Sequence, residues 1–395
     1  MTDNLTSPFA LVCAIYWVVS VGLLLISATA TILQPWLAAR RGTRADRPLV
    51  SIVLPVKLLE QGFERAEESA LAQNYPEFEA IAAAADTASP AAEAIRAVFA
   101  RFPHVPSRLL SSTAKFAASP KVDNLYAPFC AAANDVIFMK DSNVFLEPDD
   151  LSQAVRHLVD DVGLVCGIYY AADAQNLAGH IEAGILNGPH VRMLYLASAL
   201  GKGFGVGKIM LFRRSDFLRA GGFAAISHTV GEDNAMAKAM ARIGLRTVFS
   251  HRPVRQEIGR RALRDVYDRQ LRWYVTRRQN ELLSFLAEPI CQALPAFVAA
   301  FFAAPLVGLS PLAGVSATCG AWFAMETLLS YAKGWQVSWA APAIFLARES
   351  FTLAVWLQAW GARKIVWAQA TLDTRDAYVE VAAHAEPAAK EEENA

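Results

Sequence analysis

Charge is scarce in this chain of 395 residues: 19% are Asp, Glu, Lys or Arg, against 54% hydrophobic. That is too apolar for an ordinary soluble enzyme and points to membrane segments. Lys and Arg together number 37, as do Asp and Glu. No net charge is offered to a polyanion, so nucleic acid is not an expected partner. Cysteine is sparse too: the five, at 13, 130, 166, 291 and 319, include no pair with metal-site spacing. They read as buried small hydrophobes in a reducing compartment or in lipid. The glycine-rich run Gly201–Lys208 lacks the phosphate-loop pattern. Lys202 stands where a Gly is needed, and Ile209 where Ser or Thr is needed. A dinucleotide fingerprint fails as well. The run reads as a tight turn where backbone approaches a ligand or another strand. No internal repeat is visible.

Apolar runs are abundant. Residues 9–38 contain no charge, enough to cross a bilayer with some tilt. The tail before them has no Lys or Arg, so a cleaved signal peptide is not the reading. Arg40, Arg41, Arg44 and Arg47 follow at once, and the positive-inside rule then places the next domain in the cytoplasm. From Pro289 to Leu329 a second apolar stretch is broken near Pro311 and carries one acid, Glu326. It predicts two membrane helices in a hairpin. A further segment, Ala340–Trp360, is interrupted by Arg348-Glu349. Charges at such depth are costly and usually paired or functional. The segment reads as a third C-terminal span, which closes a membrane region of 289–362. The tail 383–395, rich in Lys and Glu, reads as disordered.

Between these regions, residues 48–285 alternate strand and helix patterns, the signature of an α/β domain with a mainly parallel sheet. Leu49–Leu54 is a β-branched run ended by Pro55, and Phe78–Ala85 is a second strand ending at Asp86. Val136–Met139 is a buried strand that stops on Asp141-Ser142-Asn143, and Val162–Tyr170 is a further strand. Ligands gather at the carboxyl ends of such strands. An Asp there can hold a divalent cation on a nucleotide's phosphates, although Asp-Ser-Asn is also an ordinary turn. Glu232-Asp233 precede a helical run; adjacent carboxylates there either cap the helix or supply a general base. From Arg252 to Arg278 nine arginines face three acids. Arg269 and Arg272, three apart, share a helix face beside Trp273. Guanidinium forks grip phosphate oxygens bidentately, and an indole can stack on a substrate ring.

In this order, Asp86, Asp141-Ser-Asn, Glu232-Asp233 and Arg269-x-x-Arg272-Trp273 resemble the signature of inverting glycosyltransferases with the GT-A fold. The chain is most similar to the ceramide glucosyltransferase family, whose members also carry an N-terminal membrane helix and a C-terminal membrane cluster. Further similar stretches are Asn74–Glu79, Lys121–Leu125, Gly163–Gly167, Glu232–Lys238 and Ala347–Ser350. Together they cover roughly residues 10–370.

The resemblance implies a UDP-sugar donor, a lipid acceptor such as ceramide, and Mn²⁺ or Mg²⁺. It implies Asp86 on the uracil or ribose, Asp141 on the metal, and Asp233 as general base. Lys121 and Glu232 would line the substrate site. Arg269, Arg272 and Trp273 would hold the diphosphate and shape the acceptor site, near His190. The chain departs from the pattern in three places. Asp-Ser-Asn replaces the usual Asp-Ser-Gly or Asp-x-Asp, leaving the metal one protein carboxylate; Arg269 stands where Gln is also common; and Pro189 precedes the His. Open alternatives are a hopanoid or polyprenyl-phosphate acceptor, a short polysaccharide synthase, and a non-catalytic membrane protein. The Ala- and Arg-rich composition favours a bacterial inner membrane, with Golgi as the alternative.

Overall fold

A computed structural model describes residues 8–41, 43–367 and 370–373; the tail expected to be disordered lies outside them. In chain order the first elements are α1 (Pro8–Ala39), β1 (Val50–Val56), α2 (Phe63–Leu71), β2 (Phe78–Ala84), α3 (Pro90–Arg101) and β3 (Ser107–Ser111). Next come α4 (Pro120–Ala131), β4 (Val136–Lys140), β5 (Val144–Phe145), α5 (Asp150–Arg156), β6 (Val162–Cys166) and β7 (Tyr169–Ala174). Then follow α6 (Leu177–Ile185), α7 (Val191–Ala199), β8 (Ile209–Arg213), α8 (Arg214–Arg219), α9 (Glu232–Arg242), β9 (Arg246–Phe249) and β10 (Val254–Gly259). The C-terminal part holds α10 (Leu263–Asn280), α11 (Leu282–Ala287), α12 (Ala293–Ala303), α13 (Pro311–Lys333), α14 (Ala341–Ala359), β11 (Lys364–Trp367) and β12 (Ala370–Asp373). These gather into two compact units. A helical unit takes residues 8–34, 170–196 and 258–367, and a sheet unit takes 35–169, 197–257 and 370–373. Residues 170–196 and 258–285, inside the span expected for the α/β domain, thus cluster with the helical unit.

The sheet unit is built on seven strands in the order β3-β2-β1-β4-β8-β6-β9. β3, β2, β1 and β4 are parallel, as are β6 and β9, while β8 runs antiparallel to both its neighbours. The mainly parallel α/β sheet inferred from the alternation is therefore present. Every residue of β4 is buried, as expected for a strand covered on both faces. β2 is alanine-rich, and its last five residues are buried. Small side chains there let α4 pack closely over β1 and β2. Pro55 does not end β1, which continues in register to Val56 opposite Ala84. The single strand read at Val162–Tyr170 is two strands, parted at Gly167. A Cβ at Gly167 would come within 2.4 Å of the Ile209 side chain. The pairing directions bring the carboxyl ends of β2, β1, β4 and β6 to one edge, where β8 begins.

In the helical unit, two of the described helices, α1 and α13, are long and apolar enough to cross a membrane. The bent pair Leu282–Cys291 and Ala293–Val307, at 62°, is a third candidate span. The hairpin read around Pro311 is set by that proline at the first position of α13 and by Ser310, whose hydroxyl accepts the Ala313 N–H at 3.2 Å. α12 lies against α13, and a Cβ at Gly314 would come within 2.4 Å of the Ala304 Cβ. Small residues at such contacts let membrane helices approach closely. Ala340–Trp360, read as a further span, forms α14; it packs along α6 and α10 and is not among the helices long and apolar enough to cross.

Candidate active site

Four of the residues singled out in the sequence meet at the carboxyl edge of the sheet. β4 ends at Lys140 and delivers Asp141, whose N–H bonds the Lys208 carbonyl at 3.0 Å just before β8. The adjacent Lys140 is fully buried against Glu67, 3.1 Å away, and also donates to the Asp141 carbonyl at 3.0 Å. That pair fixes the strand end from below. α4 opens with Pro120, pre-set for a first helical turn, and presents Lys121. Its Nζ lies 2.7 Å from Asp141 Oδ1, 3.0 Å from Glu232 Oε1 and 3.0 Å from the Gly207 carbonyl. Lys208 Nζ lies 3.3 Å from Asp141 Oδ2 and 3.1 Å from Asn143 Oδ1.

Asp233 stands in the first turn of α9, but it is not the cap. Gly231 occupies that position without a side-chain bond. The Asp233 carboxylate instead accepts the Gly207 N–H at 2.9 Å through Oδ2 and the Asn234 N–H at 2.8 Å through Oδ1. The glycine-rich run therefore has a defined task. A Cβ at Gly205 would fall 2.0 Å from the Asp233 carbonyl, and one at Gly203 would fall 2.6 Å from the Thr247 carbonyl. Only bare backbone can lie this close, so Gly205 lets the loop press on α9 while Gly207 holds its carboxylate.

The electrostatics follow from this arrangement. Burial and the neighbouring Glu232 push the Asp233 carboxyl up to about 6, against the pull of Lys121 and the two N–H donors. Burial also disfavours charge on Asp141, yet Lys121 and Lys208 outweigh it and hold that carboxyl below the usual range. Burial likewise opposes the Lys121 ammonium, but Asp141 and Glu232 overcome it and keep the group protonated. The site thus contains one carboxylate poised near neutrality and one that stays ionised.

Among the described residues no group of three or more His, Cys, Asp or Glu is placed to hold a metal. The donor set still suits a hard cation. Asp141 Oδ2 and Asn143 Oδ1 already converge on one cationic centre, the Lys208 ammonium. Mg²⁺-type ions are commonly bound through one or two carboxylates, with substrate phosphates completing the shell.

Asp86 is exposed in the turn after β2, and its Oδ1 accepts the Ala88 N–H at 2.8 Å. β2 is two strands from β4 in the sheet. The remaining expected residues belong to the helical unit. Trp273 of α10 stacks on His190, with ring centroids 5.8 Å apart and planes 20° apart. Arg269 is ion-paired with Glu182 of α6, and Arg272 donates to the Val366 carbonyl at 3.4 Å. His190 ends a π-helical turn, Leu186–His190, in which Gly188 leaves helical backbone angles. Three features were missed in the sequence. Lys208 was read only as a failed phosphate-loop lysine. Gly207 acts through its backbone and carries no side-chain signal. Glu182 had a signal, since it is the one acid of α6.

Residues 13–377 match the model of glycosyl transferase family 21. Over 232 residues the chain is 23% identical to ceramide glucosyltransferase 1 of Caenorhabditis elegans, covering 58% of this chain and 50% of that one. Over 327 residues it is 21% identical to ceramide glucosyltransferase 3 of the same organism, covering 81% and 71% respectively. The chain thus spans about half the length of the first relative. Among solved structures, a mannosyltransferase from Pyrobaculum calidifontis, in complex with GDP-Man and Mn²⁺, aligns over 88% of this chain and 99% of its own, with a TM-score of 0.52 at 16% identity. That likeness establishes the GT-A fold.

Proposed function

Since the chain belongs to glycosyl transferase family 21, the family of the ceramide glucosyltransferases, we propose that it moves glucose from a UDP-sugar to the hydroxyl of a lipid, ceramide, with inversion. The observation that carries this reading is Asp233, a carboxylate near pKa 6 anchored by the Gly207 N–H at 2.9 Å. A base poised close to working pH is effective at accepting a proton and contributes typically ~10²- to 10⁴-fold.

The proposed reaction is a single displacement. The acceptor oxygen forms a bond to the anomeric carbon as the bond from that carbon to the diphosphate breaks. The hydroxyl proton passes to Asp233, and UDP leaves with the bonding electrons. Gly207 and Asn234 aim the carboxylate, and Gly205 keeps the loop in place. Lys121, bridging Asp141 and Glu232, ties the strand end to the helix that carries the base. Asp141, with the Asn143 amide oxygen, would hold a divalent cation, which when bound neutralises charge on the leaving diphosphate. The mannosyltransferase of the same fold was solved with Mn²⁺. Arg269, Arg272 and Trp273 are proposed to contribute to substrate binding from α10, and Asp86 to contact the nucleoside.

For access to nucleotide sugars, the reading places the sheet unit in the cytoplasm, following Arg40, Arg41, Arg44 and Arg47 after α1. The test is mass spectrometry of lipids made by purified full-length protein given ceramide and a panel of UDP-sugars. Hexosylceramide formed from UDP-glucose, lost with EDTA and regained with Mn²⁺ or Mg²⁺, is expected. A product on another lipid alone would overturn the acceptor, and undiminished transfer in EDTA would overturn the cation.

A further inference from the structure

The helical unit contains a cavity of about 90 Å³. Polar side chains (Asn187, Glu326, Ser330 and Arg348) share its walls with the rings of Phe323 and Phe345. It lies where α13 ends and α14 begins, since Thr327, Ser338 and Ala341 also line it. Tyr331 and Trp339, in the same turn region, are 67% and 96% exposed. Exposed Tyr and Trp beside an apolar helix mark the boundary between hydrocarbon and water. This exposed pair suits a cavity placed at the depth of lipid polar heads.

Its wall charges are matched. Glu326 Oε1 meets Arg192 Nη2 at 3.0 Å and accepts the Trp322 indole N–H at 3.2 Å. Glu326 Oε2 meets Arg348 Nη1 at 2.8 Å, and Arg348 Nη2 meets Glu349 Oε1 at 2.6 Å. Glu349 Oε2 in turn accepts the Ala293 N–H at 2.6 Å. Two arginines are thus consumed by two glutamates, and all four side chains are buried. Lys333, nearby on α13, lies over the Tyr195 ring instead. Gly184 and Gly188 make room for this arrangement, since a Cβ at Gly188 would meet Arg348 Nη1 at 2.5 Å. A phosphate entering here would meet Arg348, already committed to Glu326 and Glu349, and His180 as the other wall group able to carry positive charge. With that imidazole neutral, the burial is costly. Hydroxyl and amide groups carry no such cost. Ser330 donates to the Glu326 carbonyl at 2.9 Å and keeps acceptor lone pairs. Ser338 accepts the Ala340 N–H at 3.2 Å and keeps a proton to donate.

We propose that this cavity seats the polar head of a neutral lipid bearing amide and hydroxyl groups, with its chains along the exposed apolar side chains Leu328 and Leu346. Calling that lipid the sugar acceptor rests on the function proposed above. A phosphate-bearing polyprenyl lipid is disfavoured in the cavity by the charge balance while His180 is neutral.

The test is photo-crosslinking of the full-length protein in nanodiscs with a ceramide carrying a diazirine beside its amide. Labelled peptides should map to 180–188 and 323–348, and excess short-chain ceramide should suppress the label while equal undecaprenyl phosphate should not. Ala341→Phe and the milder Thr327→Leu should cut labelling by about tenfold and a smaller factor respectively, tenfold being ~1.4 kcal/mol, with UDP binding by calorimetry unchanged. Leu312→Phe, exposed at the far end of α13, should change nothing. Labelling elsewhere, or equal competition by undecaprenyl phosphate, would overturn the proposal. If the label maps as expected but no hexosylceramide is made, the cavity stands and the acceptor assignment falls. If hexosylceramide is made but the label maps elsewhere, the function stands and the cavity falls.

Discussion

Two of the charge clusters among the described residues use similar side chains to different ends. In the helical unit Arg192, Arg348, Glu326 and Glu349 are buried and matched in number. In the sheet unit Lys121 and Lys208 serve three carboxylates: Asp141, Glu232 and Asp233. Asp141 and Glu232 take ammonium partners directly, while Asp233 receives backbone N–H groups. The excess carboxylate is the one whose affinity for a proton rises. A matched buried cluster holds helices in register, whereas an unmatched one leaves a group ready to exchange a proton.

The comparison is broken most severely by removing one partner from the matched cluster. Glu326→Ala leaves Arg192 without its carboxylate and Arg348 with only Glu349, which should cost ~3–5 kcal/mol of stability, seen as a lower melting temperature in detergent. A melt like that of the wild type would mean the cluster does not hold the helices. Next in size is Gly205→Ala, whose Cβ would fall 2.0 Å from the Asp233 carbonyl. Loop and base must then part, and kcat should fall by about 10²-fold, the usual effect of a misplacement near 1 Å, with UDP binding retained. Activity within twofold of wild type would show that the loop does not position the base.

The pH profile sharpens the contrast with the smallest effect. Asp233 must be ionised to act, so kcat/KM should fall about tenfold per unit below pH 6. The contribution to stability runs the other way. Its folded pKa, about 6, lies above the ordinary 3.8, so the native state binds the proton more tightly. This carboxyl therefore favours the folded state more as pH falls from 6 towards 4, while activity is being lost. A pH dependence of stability across that window identical in the wild type and in Asp233→Asn would contradict the assignment.

Much of the sheet unit was legible in the sequence because its signals are local. The buried run Val136–Met139 stopping at Asp141, the alanine-rich β2, and Glu232-Asp233 ahead of a helix all announce themselves within a few residues. The antiparallel insertion of β8 did not, since strand direction depends on partners far along the chain. Nor did Gly207, which works through a main-chain N–H, or the break at Gly167, where the cause is the Ile209 side chain. In the helical unit Arg348-Glu349 was recognisable as a charged pair costly to bury within an apolar segment. Its link through Glu326 to Arg192 was not, because the last two lie 134 residues apart and nothing in their spacing joins them.

The most direct test of the central claim is Asp233→Asn. The carboxylate accepts the Gly207 and Asn234 N–H groups through separate oxygens; Asn keeps an amide oxygen for one of them but cannot take up the hydroxyl proton. The variant should fold and bind UDP as the wild type does, with kcat for hexosylceramide formation reduced by ~10²-fold or more, and Glu232→Gln should lose less. Retention of more than about a third of the wild-type kcat by Asp233→Asn, well outside the range of general-base loss, would contradict the account.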